Sequence, residues 1–341
     1  MSRSDDLGTP SSYVQQVTDQ LWRIQLPLPM RDLTSVNAYA IGAGDRVTLI
    51  DPGYASPESE DMLIAALYSV GYSVGDVERI LVTHIHWDHY SQALRWQRQR
   101  GTCIYLGSEE HRAITAVEQA QAPYSDQVAL LHTAGAPALA DDVQRVELEP
   151  YELDISASPP DVWLADGDRL DCGGRTLVAH ATPGHTRGHF VFEIPDEGLL
   201  FTGDHVLPRI TPSIGFEPCP DPDALTAYLR SLHLLLARPA NTMLPAHGSI
   251  GSDVQARVVE LLSHHDRRLE EILDLVTAGH STAYAVARQM HWTRRLCSVD
   301  DLNAIHAMSA VLEVLAHLEV LEARGLVVST ELDRTRKYRA G

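Results

Sequence analysis

The chain has 341 residues, of which 44% are hydrophobic and 21% charged, a composition typical of an ordinary globular protein. Its length predicts one large domain and a smaller one. The formal net charge of −19 disfavours broad binding to nucleic-acid phosphates, although it leaves room for a local basic groove.

The four cysteines lie far apart and form no Cys-x-x-Cys pair. A disulfide framework and a thiolate zinc site are therefore not expected, and a cytoplasmic location fits best. Residues 1–12 are polar and lack the apolar stretch of a secretory signal, which predicts a flexible tail. No uninterrupted apolar run is long enough to span a bilayer, so no membrane contact is expected.

The first half of the chain alternates between strand and helix patterns. A hairpin is predicted at Gly42–Asp45, where glycine and aspartate separate two short β-rich segments. A helix is predicted over Ser59–Val70, and the apolar strand Arg79–Val82 leads directly to Thr83–His89. A further helix at Ser91–Arg100 and a strand at Thr102–Leu106 continue the alternation, which predicts an α/β sandwich.

The secondary-structure pattern changes twice in the second half of the chain. Residues 119–160 have weak periodicity and are interpreted as a helical excursion over one edge of the sheet, followed by a strand-rich stretch from Val162 to Phe201. Helical patterns then dominate, followed by Gly325 as a C-terminal cap and a small hairpin at 326–339. The predicted helices are Val254–Ala278, Ala283–Met290 and Leu302–Arg324. We therefore divide the chain into a tail (1–12), a catalytic domain (13–252) and a helical, winged-helix-like domain (253–341).

The strongest chemical signal is His84-x-His86-x-Asp88-His89, which places four potential metal ligands within six residues at the end of a strand. Side chains two apart on an extended backbone point the same way, so His84 and His86 can reach one ion. Asp88 and His89 lie where a loop is expected to turn and can reach a second ion. Imidazole nitrogen and carboxylate oxygen are ligands that zinc accepts.

Three later segments each place another candidate ligand just after a strand. They contain His185 in Gly-His-Thr-Arg-Gly-His, Asp204 in Phe-Thr-Gly-Asp, and His247 in Pro-Ala-His-Gly. Glycine next to each candidate is expected to let the backbone approach the ion closely. Their ordered appearance after the first cluster predicts one composite site.

This order of motifs resembles the metallo-β-lactamase superfamily over roughly residues 17–250. The resemblance implies an αββα four-layer sandwich with the metal site at one edge, between two sheets. It also implies two zinc ions per chain, with Fe or Mn as possible substitutes. The implied ligands are His84, His86 and His185 for the first ion, Asp88, His89 and His247 for the second, and Asp204 bridging both.

Four further residues near these motifs have expected roles. Asp51 matches the buried carboxylate of the family that hydrogen-bonds a ligand histidine, but it could equally be a plain turn residue in Asp-Pro-Gly. Trp87 is expected to pack rather than bind metal. His189 is expected to be structural or to support a ligand, and His205 should point away from the ions.

The implied chemistry is hydrolysis of a small-molecule thioester or ester, with the metal ions lowering the pKa of a bridging water from ~15.7 to about 7. Asp88 is the candidate catalytic proton shuttle. The aspartate at position 204 separates the chain from true β-lactamases, which commonly have cysteine there. His86 disfavours the flavodiiron branch, which has glutamate, and Leu207 weakens a lactonase interpretation, because lactonases often have tyrosine.

The C-terminal helices resemble the tail of the glyoxalase-II-like and LACTB-2-like branch. This tail suggests a metal-dependent endoribonuclease or a non-catalytic winged-helix binder as alternative functions. A lactonase and a mononuclear-iron persulfide dioxygenase are further alternatives. Basic residues at Arg294–Arg295 and Arg334–Arg339 are interpreted as solvated surface. The tail is expected to act as a lid or dimerisation element, and a homodimer is the default oligomer.

Overall fold

The computed structural model describes residues 10–30, 32–120, 122–147, 158–239, 241–293 and 296–341. Residues 1–9 of the predicted tail, residues 148–157 of the predicted excursion and the Arg294–Arg295 pair lie outside the described residues. Residues Pro10–Tyr13 form a short helix, α1, directly before the first strand.

The first sheet contains seven strands in chain order. They are β1 (Val14–Thr18), β2 (Leu21–Pro27), β3 (Ser35–Ala43), β4 (Arg46–Ile50), β5 (Val77–Leu81), β6 (Cys103–Gly107) and β7 (Val162–Leu164). Strands β1 to β4 pair antiparallel, and β4 to β7 pair parallel. The predicted hairpin is confirmed, because Ala43 lies opposite Arg46 at the β3–β4 turn.

The second sheet has five strands, with the spatial order β12-β11-β10-β9-β8. They are β8 (Arg169–Cys172), β9 (Arg175–Ala181), β10 (Phe190–Ile194), β11 (Leu199–Gly203) and β12 (Thr242–Pro245). Strands β8 to β11 pair antiparallel, whereas β11 and β12 run parallel. The parallel pair places the carboxyl ends of β11 and β12 side by side, directly before Asp204 and His247.

Helices cover the outer face of each sheet. Those on the first sheet are α2 (Pro57–Ser69), α3 (Trp87–Arg100) and α4 (His111–Gln119). The others share one apolar core with strands β10 to β12 of the second sheet: α5 (Ser125–Thr133), α6 (Pro137–Gln144), α7 (Ala224–Leu236), α8 (Val254–Thr277), α9 (Ala283–Ala287) and α10 (Ala304–Ala323). A third apolar core, including Tyr39, Phe192 and Phe201, fills the space between the sheets. The predicted four-layer αββα sandwich is therefore confirmed.

Helix α3 begins earlier than the sequence predicts. The expected start was Ser91, but the helix begins at Trp87, so Asp88 and His89 lie in its first turn rather than in a loop. A carboxylate there is favoured by the unpaired N–H groups and positive dipole end of the helix. Apolar periodicity does not reveal this start, because the polar side chains of the histidine motif face the site rather than the apolar core.

Two of the three predicted C-terminal helices match closely, whereas α9 ends at Ala287 rather than at Met290. Helices α8 and α10 match the expected spans, and Gly325 follows α10 with φ +72. The hairpin strands are β13 (Val327–Leu332) and β14 (Thr335–Ala340). Helices α5 and α6 contact α10 instead of only crossing a sheet edge. Helices α5 to α10 share one apolar core, which includes residues on both sides of position 252. The domain division at residue 252 stays a prediction.

Helix α10 is the one described helix whose length and composition would allow it to cross a membrane, with a mean hydropathy of 1.5. In the fold, however, 67% of its apolar window is buried inside the protein. Val311 and Leu318 are fully buried in the core shared with the neighbouring helices. Such burial is typical of a core helix, and the absence of membrane contact stays a prediction.

A buried histidine pair at the α8–α10 contact predicts a loss of stability in acid. Nδ1 of His265 lies 3.1 Å from Nε2 of His317, whose Nδ1 donates to the Glu313 carbonyl. Burial lowers the pKa of His317 to about 4. The unfolded chain therefore binds the proton more tightly, so stability falls as the pH drops below ~6.5, by on the order of 2 kcal/mol at pH ~5. Chemical unfolding across this range should show a smaller loss for His317→Gln.

The matched control is His306→Gln, which removes an exposed histidine from the same helix. Its unfolding free energy should follow that of the wild type across the pH range. A parallel pH dependence in His317→Gln and the wild type would contradict the role of the buried pair.

Candidate metal centre

The first four candidate ligands come from one short connection between β5 and α3. Strand β5 ends at Leu81, and the next residues carry His84 and His86 before α3 places Asp88 and His89 in its first turn. His84 and His89 are fully buried, and Asp88 is 6% exposed. The strand end and the helix start together aim four polar side chains into one interior space.

The first group of ring nitrogens is formed by three histidines. Nδ1 of His86 lies 2.9 Å from Nε2 of His84 and 3.1 Å from Nε2 of His185. Tetrahedral zinc with Zn–N bonds of 2.0–2.1 Å would hold two ring nitrogens roughly 3.3 Å apart. The observed separations differ from this value by only a few tenths of an ångström, so the donor set fits a cation.

The second group contains Asp88, His89 and His247. Oδ2 of Asp88 lies 3.3 Å from Nε2 of His247 and 3.6 Å from Nε2 of His89. In this group, as in the first, one possible ligand atom from each residue lies within 4.8 Å of the others. Nε2 of His89 and Nε2 of His247 are buried without a hydrogen-bond partner. Buried polar atoms normally have partners, and a cation would satisfy both.

Asp204 stands between the two groups. Its Oδ1 lies 3.4 Å from Nε2 of His247 and 3.8 Å from Nε2 of His89, while its Oδ2 lies 3.7 Å from Nε2 of His185. Oδ1 is buried and has no hydrogen-bond partner. The two oxygens thus face different groups, as a carboxylate that bridges two cations must.

A second layer of hydrogen bonds fixes the opposite ring nitrogens. Nδ1 of His185 donates to the Ser213 carbonyl at 2.9 Å, and Nδ1 of His247 donates to the Ser35 carbonyl at 2.8 Å. A donor role at Nδ1 leaves the lone pair of Nε2 directed into the site. The rings are therefore oriented by backbone carbonyls from remote segments.

Asp51 performs the same task for the first segment. Its Oδ1 accepts the Thr83 amide N–H at 2.8 Å, and its Oδ2 accepts the Thr83 hydroxyl at 2.8 Å and faces Nδ1 of His89 at 3.0 Å. The residue has φ +49, in the sparsely populated left-handed region that aspartate tolerates better than most residues. These contacts favour the supporting role over a plain turn residue.

A protein-family model described as the metallo-beta-lactamase superfamily matches residues 31–247, which is more than half of the chain. The chain belongs to this superfamily. Its fold and its membership agree with the resemblance seen in the motifs.

Solved metallo-beta-lactamase-fold structures resemble nearly the whole chain. A metallo-beta-lactamase family protein from Thermus thermophilus is 27% identical with a TM-score of 0.78, covering 96% of this chain and 100% of that one. A beta-lactamase domain protein from Burkholderia ambifaria is 25% identical with a TM-score of 0.80, covering 99% and 97%. The likeness therefore extends through the C-terminal helices, beyond the family match.

Curated relatives of the superfamily connect the chain to hydrolases. The lactamase-like protein nscB of Neosartorya fischeri is 26% identical over 296 residues, covering 82% of this chain and 73% of that protein. The atrochrysone carboxyl ACP thioesterase dmxR1 of Cryptosporiopsis sp. is 23% identical over 281 residues, covering 82% and 69%. The protein is a metal-dependent hydrolase of the metallo-beta-lactamase fold.

Glycine serves this metallo-beta-lactamase site differently from the sequence prediction. Gly203, just before Asp204, has φ +50, and a Cβ there would lie 2.6 Å from Nε2 of His189 and 2.8 Å from Cβ of Thr83. At Gly184 a Cβ would lie 2.4 Å from Cα of Tyr228. Glycine at these two positions lets neighbouring protein segments pack tightly behind the candidate ligands. Close approach of the backbone to an ion is therefore not the only reason for glycine there.

His189 and His205 lie behind the candidate ligands. Nε2 of His189 accepts the backbone N–H of Asp204 at 3.2 Å, and its Nδ1 lies 2.9 Å from the Thr182 hydroxyl. His189 therefore holds the backbone of Asp204 in place, as expected of a supporting residue. His205 is fully buried, and its ring lies 4.8 Å from that of Tyr228, against the helical layer.

Glu110 is a site residue that the sequence analysis missed. Its Oε1 accepts the Ile85 amide N–H at 3.3 Å and the Thr186 hydroxyl at 2.5 Å, which ties the β5–α3 segment to the turn that carries His185. Burial raises its pKa to about 8, so the side chain is mostly protonated at neutral pH. No motif surrounds Glu110 in the sequence, because it acts through contacts that form only in the fold.

Burial and charge divide the ligand histidines into two electrostatic classes. Burial, reinforced by neighbouring imidazoles, lowers the pKa of His84 well below its ordinary value and that of His86 to about 3. Burial also opposes protonation of His89, but Asp88, Asp51 and Asp204 outweigh it and raise the pKa to about 9. The first group is therefore ready to bind a cation, whereas the second holds protons when no cation is bound.

Zinc binding is accordingly expected to release protons. His89, and His247 beside Asp204 and Asp88, have raised pKa values and are protonated at pH ~7, yet both must be neutral to bind metal. Filling the site should release roughly two protons, and the affinity should rise with pH up to about 9. Calorimetric titration in buffers of different ionisation enthalpy measures the release.

The control for this titration is the exposed-histidine variant His306→Gln, which should release the same number of protons as the wild type. A binding enthalpy that is independent of the buffer would contradict the protonated state of the second group.

Proposed function

We propose that this metallo-beta-lactamase-fold protein is a dinuclear zinc hydrolase that cleaves a small-molecule thioester or ester. One observation carries the dinuclear part of the proposal. The two carboxylate oxygens of Asp204 face separate groups of imidazoles, at 3.4 Å from His247 and 3.7 Å from His185. A closed structural zinc site needs only four ligands, whereas seven candidates, Asp204 included, make up this site.

The thioester part rests on relatives and on the composition of the loop that follows Asp204. Two of the curated relatives are named atrochrysone carboxyl ACP thioesterases. The loop that follows Asp204 is rich in proline and apolar residues, and Ile210 in that loop is 46% exposed. An exposed apolar side chain in the loop that follows Asp204 favours an acyl substrate. Iron or manganese stay possible metals, because the same ligands accept them.

The roles of the chain in the reaction follow from its charges. Bound zinc ions would supply Lewis-acid activation of a water molecule and of the scissile carbonyl. Asp88 is buried, which opposes ionisation, but His89 and His247 outweigh this and lower its pKa. The ionised Asp88 carboxylate can therefore accept a proton from the attacking water and pass it to the leaving group. Asp51, through Nδ1 of His89, and the Ser35 and Ser213 carbonyls keep the ligand rings aimed.

We also propose the following cellular setting. The enzyme acts in the cytoplasm on a free small molecule, without membrane or nucleic-acid partners, and a homodimer is its default oligomer. Residues 13–252 carry the chemistry, and residues 253–341 form the winged-helix-like unit that covers or supports the site.

The test combines elemental analysis with a substrate panel. Purified protein reconstituted with zinc should contain about two ions per chain and hydrolyse thioesters or esters, and chelation should abolish the activity. The panel includes lactone, β-lactam and single-stranded RNA substrates, which distinguish the alternative activities. One iron per chain with persulfide oxidation, or turnover that survives chelation, would overturn the proposal.

A further inference from the structure

Arg257, in the first turn of α8, reaches out of the helical layer to the loop that follows Asp204. Its Nε donates to the Leu207 carbonyl at 2.8 Å, and its Nη2 donates to the Ile210 carbonyl at 3.1 Å. Its side chain is only 15% exposed. A planar guanidinium can hold two carbonyls in a fixed relation, which a lysine ammonium cannot do.

The loop that Arg257 holds, residues 207–214, contacts two segments that carry candidate ligands. The Ser213 carbonyl accepts Nδ1–H of His185 at 2.9 Å. Pro208 packs against Gly248, next to His247, where a Cβ would lie 2.9 Å from the proline Cγ. Ile214 is buried in the core of the helical layer. A shift of this loop would therefore displace the carbonyl that orients His185.

The loop has no strand pairing to hold its backbone. It belongs to neither sheet, and Pro208 and Pro212 cannot donate backbone hydrogen bonds. The guanidinium of Arg257 supplies donors to carbonyls at two points of the loop. The position of the loop therefore does not depend on the single hydrogen bond between Nδ1 of His185 and the Ser213 carbonyl.

We propose that Arg257 is a positioning residue, which fixes loop 207–214 and thereby directs Nε2 of His185 at the first metal ion. This inference rests on the proposed metal-binding function. It gives α8 a part in the site, because a helix outside the catalytic motifs sets the orientation of one ligand. The ion held by Asp88, His89 and His247 depends less on this loop, since Nδ1 of His247 donates to Ser35 instead.

The experiment compares Arg257→Met, which keeps the apolar stem but removes the donors, with Arg257→Lys. Hydrogen–deuterium exchange of the metal-free protein measures the protection of residues 207–214. Zinc titration against a competing chelator measures the two binding steps. In Arg257→Met, faster exchange in the loop and a roughly tenfold weaker affinity for one ion only are expected, the scale for partners of metal ligands. Arg257→Lys should fall between this variant and the wild type.

The matched control is Glu260→Gln, because Nη1 of Arg257 also pairs with the exposed Glu260 at 2.7 Å. This variant should match the wild type in both measurements. Unchanged exchange in Arg257→Met would overturn the inference, and so would an equal loss of both ions. If Arg257→Met does not fold, the same two outcomes in Arg257→Lys decide. If the wild type binds no zinc, the proposed function fails, and loop exchange alone decides whether Arg257 fixes the loop.

Discussion

Replacing Asp204 by alanine is expected to weaken binding of both metal ions and to reduce turnover by about 10²–10³, the scale of losing a major electrostatic contributor. The reason is geometric, because Oδ1 faces His89 and His247 while Oδ2 faces His185. Removing the carboxylate leaves both groups of imidazoles without their shared anion. Metal content after dialysis and kcat/KM on the best substrate of the panel measure the effect.

Two variants make the Asp204 result specific. Asp204→Asn keeps the shape but weakens the bridge, so it should retain more metal than Asp204→Ala. Asp61→Ala removes an exposed carboxylate from α2 and should behave as the wild type. Two tightly bound ions in folded Asp204→Ala would contradict the bridging role.

The positions of the candidate ligands could be located in the sequence because each segment follows a strand. His84, Asp204 and His247 come just after β5, β11 and β12, and the apolar strands fix where each chain segment emerges. Polar residues with metal-binding chemistry at such points are visible in a linear sequence. Their convergence is a property of the sandwich, which brings the ends of both sheets together at one edge.

The supporting contacts could not be predicted in the same way. The partners of His185 and His247 are the backbone carbonyls of Ser213 and Ser35. Every residue has a backbone carbonyl, so the sequence does not show which one accepts a hydrogen bond. Glu110 supports the site from the residue directly before α4, far from any motif. Arg257 appears in the sequence only as a charge on an amphipathic helix. These contacts depend on tertiary distances that no local pattern encodes.

Local helix geometry explains the remaining difference. The polar motif conceals the start of α3 at Trp87, so Asp88 and His89 were expected in a loop. In the helix, these adjacent residues are held at a fixed angle, with Oδ2 of Asp88 3.6 Å from Nε2 of His89. The second group thus gains its rigidity from a helical turn rather than from a flexible connection.

Replacing Asp88 by alanine separates the two ions. The first group, His84, His86 and His185, contains no atom of Asp88 and should keep its zinc, whereas the second loses a ligand. Metal content should therefore fall from about two ions to about one per chain, while turnover falls by roughly 10²–10⁴, the range for losing a proton-transferring side chain. His86→Ala is the matched variant, because it removes a ligand from the first group and should leave the second ion bound.

A further variant separates the two roles of Asp88. A carboxamide cannot take up the proton of the attacking water, so Asp88→Asn should lose turnover even under zinc concentrations that refill the second position. Recovery of activity in excess zinc would show that Asp88 only binds metal and would remove proton transfer from its role. Loss of both ions in Asp88→Ala would instead contradict the division into two groups. The first group forms without Asp88, because Nδ1 of His86 lies 2.9 Å from Nε2 of His84 and 3.1 Å from Nε2 of His185.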